Sequence, residues 1–165
     1  MRFRIVPAAL AMLAAALLPG SGQAATATGS IAVSLTILSQ CLVVGGTPMT
    51  FASTGVMTAA LEATSLLTVL CTAGTSYNIG LNLAGTETTA IRQMSGTTVP
   101  ANKVNYALYH EVGHSTFWGQ SIGTDTTPAT GNGLPQVYTV YGLVPVQTPA
   151  GADIYTESVA VTVTY

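Results

Sequence analysis

His110, Glu111 and His114 stand in the H-E-x-x-H order of zinc peptidases. That chemistry needs a helix. One helical turn brings both imidazoles to the same face, where they bind the metal while the glutamate activates a water. The neighbouring residues oppose a helix. Val104, Tyr106 and Leu108 alternate in the manner of a strand, Gly113 interrupts the motif, and Ser115-Thr116-Phe117-Trp118 continues a helix poorly. The chain has no other histidine, and Asp125, Asp153 and Glu157 are unsupported as a third ligand. The stretch therefore reads as polar residues at a strand end or turn, with a zinc metallopeptidase as the competing alternative. No metal or other cofactor is expected.

Other catalytic arrangements are weaker. No phosphate-binding glycine loop leads into a helix. The carboxylates are too scattered to name an acid–base pair. Trp118 with its tyrosine neighbours reads as core in preference to a sugar platform. The expectation is a protein that is not an enzyme. Cys41 and Cys71 are the only cysteines. In an exported chain an isolated pair reads as one disulfide.

Export is the reading of the N-terminus. Arg2 and Arg4 precede an uncharged, mostly apolar run from Ile5 to Leu18, and Gly22-Gln23-Ala24 supplies small residues for cleavage. The expected signal peptide is 1–24, and the run is too short for a comfortable membrane span. After residue 24 only Arg92 and Lys103 are basic, against six carboxylates. Two scattered cations cannot form a phosphate-binding footprint or grip an anionic membrane surface, so nucleic acid is not expected as a partner, and with no later stretch long and apolar enough to span a bilayer, direct membrane insertion is not expected either.

The elements that must position these residues are strands. Ile31, Val33, Leu35 and Ile37 alternate with other residues, as do Tyr77, Ile79, Leu81 and Leu83. Leu67, Val69 and Cys71 share a face, and Val137, Thr139, Tyr141 and Leu143 line one side of a later run with Tyr138 and Val140 on the other. Val159, Val161, Val163 and Tyr165 close the chain. Side chains two apart share a strand face, so each run can bury one side and wet the other. Threonine occurs 26 times, and its β-branch favours extended backbone. Gly45-Gly46-Thr47-Pro48, Gly74-Thr75-Ser76 and Pro145 to Gly151 punctuate the runs, and Asp125 to Gly133 reads as an exposed connection. Met57 to Ala63 reads as a turn of helix or a loop. The pattern predicts one all-β domain, a β-sandwich.

Several of these stretches, taken in order, resemble the spore coat protein U-like family, which includes the Csu-type subunits of archaic chaperone–usher pili. The C-terminal part carries most of the likeness: Val140-Tyr141-Gly142, Pro145, Gln147-Thr148-Pro149-Ala150-Gly151, Tyr155-Thr156 and Val159 to Tyr165. Tyr106-Ala107-Leu108-Tyr109, Trp118-Gly119, the placement of Cys41 at the end of the first strand and of Cys71 at the end of a later one, and Thr28-Gly29 before the first alternating run extend it over the rest of the chain. Leu143, Val146 and Glu157 depart from residues common in that family.

The resemblance implies an incomplete immunoglobulin-like sandwich that lacks its last strand. On that reading residues 25–40 are a donor-strand segment with Ile31, Val33, Leu35 and Ile37 as plugs, and residues 41–165 are the recipient domain. Val159, Val161, Val163 and Tyr165 would floor the acceptor groove. The implied partners are a periplasmic chaperone, an outer-membrane usher and neighbouring pilus subunits. The implied destination, through the periplasm, is an extracellular fibre serving adhesion or biofilm formation. The alternative is a secreted coat protein complete in itself, with Ile31–Ile37 paired inside its own domain.

Overall fold

The computed structural model describes residues 22–85, 87–148 and 151–165. The expected signal peptide therefore lies almost wholly outside the described residues. Residues 22–40 form no strand or helix. Ile31, Val33 and Leu35 are 90%, 91% and 84% exposed, and Ile37 is 74% exposed. The alternating run that reads as a first strand thus makes no ladder within the described chain. A strand needs a hydrogen-bonding neighbour as well as a pattern.

From Cys41 onward the described residues are all strand and connection. Six strands form one sheet: β1 (Cys41–Gly46), β2 (Leu61–Cys71), β4 (Arg92–Gly96), β5 (Lys103–Tyr109), β7 (Pro135–Val144) and β8 (Tyr155–Thr156). A second sheet holds β3 (Ser76–Leu81), β6 (Thr127–Thr130) and β9 (Val161–Thr164). The orders are β1-β2-β7-β5-β4-β8 and β6-β3-β9, and the pairings are antiparallel. The longest ladder joins β2 to β7, from Leu61 opposite Val144 to Leu70 opposite Pro135.

The sandwich core follows the alternation. Leu67 and Val69 of β2, Tyr77 and Ile79 of β3, and Val104 and Leu108 of β5 are buried together between the sheets. Trp118 joins them, and its indole N–H donates to the Ile79 carbonyl at 2.9 Å, so the tryptophan is core as expected. In β7 the inward face is Tyr138, Val140, Gly142 and Val144, which leaves Val137 exposed. Gly142 marks the reason. Met49 and Phe51 pack over it so closely that a Cβ there would collide with the Met49 sulfur.

Three expectations are corrected. The polar connection 125–133 contains β6, which pairs with β3 from Ser76 opposite Thr130 to Ile79 opposite Thr127. Its turn-like composition conceals a strand because Pro128 is tolerated on a sheet edge, where one side needs no ladder donor. Leu61, inside the stretch read as helix turn or loop, starts β2. Cys41, read as the end of the first strand, begins β1. The predicted disulfide is formed: Cys41 and Cys71 face each other across β1 and β2 with their Cα atoms 4.1 Å apart.

Candidate functional site

Between the two sheets lies a partly open cavity of about 510 Å³. Leu67, Leu108 and Val140 line it from the larger sheet, and Leu81 and Val161 from the smaller. Met49 and Phe51 close one side, and Phe51 meets the Tyr106 ring edge-on at 6.5 Å. The lining is dominated by apolar side chains, as a sandwich interior should be. The final segment of the chain supplies its remaining wall. β9 pairs with β3 from Asn78 opposite Thr164 to Leu81 opposite Val161, and among the described residues its outer edge has no strand partner.

The four residues read as a groove floor do not share one position. Val159 and Val161 line the cavity. Val163 packs against the core beyond it, and Tyr165 is 59% exposed. Glu157 enters the same wall two residues before Val159. Both of its carboxylate oxygens are shielded from solvent and neither has a well-formed hydrogen bond. Burial raises its carboxyl above the ordinary value, while the nearby Tyr106 hydroxyl and the more distant Arg92 charge pull it back.

The His110–His114 stretch is a turn at the end of β5. His114 has φ of +49°, the left-handed region, which no residue of a right-handed helix adopts. His110 stacks on Trp118 with ring centroids 4.6 Å apart. Its ring nitrogens are both engaged, Nδ1 with the Thr127 hydroxyl at 2.9 Å and Nε2 with the Asp125 carbonyl at 3.3 Å. Glu111 accepts from the Ser115 hydroxyl and from the Ser115 and Thr116 amides at 2.6–2.8 Å. Those bonds, the Ser115 hydroxyl first, hold its carboxyl below the usual range. His114 lies edge-on to Tyr109, and its Nδ1 is 3.9 Å from Glu62. The glutamate that would activate water ties the turn together, and the histidines serve separate neighbours. The zinc-peptidase geometry is not built here.

The family model for the Spore Coat Protein U domain matches residues 27–162. The chain belongs to that family. Comparison with curated proteins finds no match. The Spore Coat Protein U family is one of structural subunits of secreted coats or surface fibres. The matched span takes in both the exposed run Ile31–Ile37 and the cavity wall at Val159 and Val161.

One structural residue of this Spore Coat Protein U domain escapes a reading of the sequence. Arg92 is 0% exposed. Its guanidinium donates to the carbonyls of Asn82 and Leu81 at 2.8 Å and of Trp118 at 3.2 Å, so it joins the end of β3 to the Trp118 segment. Charge-assisted bonds to three carbonyls offset its desolvation. Scarcity is the one signal that points to it, because a chain with two cations after residue 24 has little reason to spend one on a wet surface.

Proposed function

We propose that this chain is a structural subunit of an extracellular fibre assembled by donation of a strand from one copy to the next. Residues 1–24 are the export signal, 25–40 the donor segment and 41–165 the recipient domain. One observation supports this above the rest. A single chain carries four exposed, alternating apolar side chains and an open apolar cavity beside a strand edge that is unpartnered among the described residues. Ile31, Val33, Leu35 and Ile37 of one subunit fill the cavity of its neighbour. Val159, Val161, Val163 and Tyr165 form the acceptor side.

Strand addition supplies backbone hydrogen bonds, and the alternate side chains set register. Burying four such plugs is worth roughly 6–12 kcal/mol gross, before ordering costs. The contact is head-to-tail and does not close, so repetition yields a fibre. A periplasmic chaperone holds the cavity before assembly, an outer-membrane usher orders the exchange, and the finished fibre serves surface attachment or biofilm formation.

The test is a variant lacking residues 25–38. It is expected to bind the chaperone and to add nothing to a growing fibre when examined by electron microscopy and sedimentation. Fibres of normal length from that variant would overturn the proposal.

A further inference from the structure

An ionisable group stands in the cavity wall where an apolar strand would have to seal it. Both oxygens of Glu157 are already out of solvent and lack a partner. A carboxylate in that position is costly unless it meets a donor, an opposite charge or a proton. The groups facing it are Tyr106 from β5, Arg92 from β4 and Glu87 from the connection before β4. Tyr106 brings a hydroxyl near, but no well-formed bond results. Arg92 spends its terminal nitrogens on three backbone carbonyls, and its Nε has no partner of its own. Glu87 adds a like charge and accepts from the Ala84 and Gln93 amides. The domain itself therefore leaves Glu157 uncompensated.

The segment expected to fill the cavity cannot compensate it through charge. Residues 22–40 contain no lysine, arginine, histidine, aspartate or glutamate. A donor segment of this composition fills the open cavity beside the carboxyl with methyls and methylenes and offers its oxygens no charged partner. We infer that insertion of the leading segment of a second copy into the groove takes up a proton at Glu157, so that subunit joining is favoured by acid and loosened as the pH rises. This inference rests on the strand-donation reading and adds to it a control on when the joint closes. A proton linked to binding changes affinity by at most about tenfold per pH unit, across the interval between the free and the bound pKa. The free carboxyl is already raised by burial, and sealing the cavity raises it further.

The sign follows from which form the joint retains. The neutral carboxyl is compatible with an apolar lid, so affinity is full below the free pKa. It falls as the pH rises, until the bound carboxyl also ionises.

The experiment uses the full chain and a labelled synthetic peptide spanning residues 25–38, with binding followed by fluorescence anisotropy between pH 5 and pH 8. The expected result is affinity falling by up to about tenfold per pH unit over part of that range. Glu157→Gln, which is neutral at every pH and close in shape, is expected to bind at pH 8 as tightly as the unaltered chain does at pH 5. Titration calorimetry in buffers of different ionisation enthalpy gives a second readout that needs no substitution, with uptake of up to about one proton per peptide expected. PH-independent binding by the unaltered chain with no proton uptake, or an equal slope in Glu157→Gln, overturns the inference and leaves strand donation standing. Failure of the peptide to bind at any pH overturns both.

Discussion

Ile31–Ile37 and Val159–Tyr165 are built to one pattern, with large, mostly branched apolar residues at every second position and small or polar residues between. Their fates in the structure differ. The first has no ladder and its four apolar side chains are 74–91% exposed. The second contributes β9, pairs with β3 and half-buries its valines against the core and cavity. Alternation therefore measures a segment's capacity to be half of a sheet. It does not say which backbone provides the other half. In the sandwich the partner is Asn78 to Leu81 of the same chain. For Ile31–Ile37 the proposed partner belongs to another molecule.

Cys41 stands at the boundary between these two behaviours, so breaking its bond is the strongest perturbation of one that should spare the other. The disulfide closes a 30-residue separation and its cysteines are buried against the core. Cys41→Ser with Cys71→Ser is expected to lower the unfolding free energy by about 3–4 kcal/mol in denaturant titrations. Exposure of residues 22–38 to protease in the folded state should be unchanged.

Matched truncations sharpen the contrast at a smaller scale. Val161→Ala removes methyls from a cavity-lining, core-packed position and is expected to cost about 1–2 kcal/mol of stability. Val33→Ala, at a 91% exposed position, is expected to change unfolding by less than about 0.5 kcal/mol while weakening strand binding in the peptide assay. Equal stability losses from the two would show that Ile31–Ile37 is part of the domain's own core.

The smallest expected effect is acid sensitivity. Asp153 accepts hydrogen bonds from the Val99, Thr98 and Ile154 amides and the Thr97 hydroxyl, and the Val99 bond leads in holding its carboxyl down to about 2. A depressed carboxyl adds stability above its unfolded value of 3.8, and that contribution is lost as the pH falls toward 2. Asp153→Asn should lower Tm slightly at pH 7, and the difference should close by pH 2. The segment 22–40 has no titratable side chain and should show no counterpart of this transition.

Much of the sandwich was legible because strand faces bury every second residue. Leu67 and Val69, Tyr77 and Ile79, and Val104 and Leu108 fall on shared strand faces by their spacing alone. The elements that escaped lack that signature. β6 is Thr-Pro-Ala-Thr on an edge, β4 is centred on polar residues with a buried arginine, and β1 is a continuous apolar run into two glycines. Of the residues now at the cavity, Val159 and Val161 were readable from their spacing. Met49, Phe51 and Glu157 were not, because each lies outside a regular run and reaches the site through the path of a connection.

Amino-acid order alone determined that this chain would build alternating strands, link Cys41 to Cys71 and keep charge scarce, since these depend on side-chain period, cysteine number and composition. It also identified the family, through motifs distributed over the chain. Tertiary structure decided what those residues do together. Whether a histidine pair binds metal or braces a turn depends on φ at His114 and on the donors around Glu111. Whether a carboxyl is solvated or stranded depends on the walls folded around Glu157. The first is fixed inside one turn, by the His114 backbone and the Ser115 and Thr116 donors; the second depends on Tyr106, Arg92 and Glu87, neighbours distant in sequence that only the fold brings near.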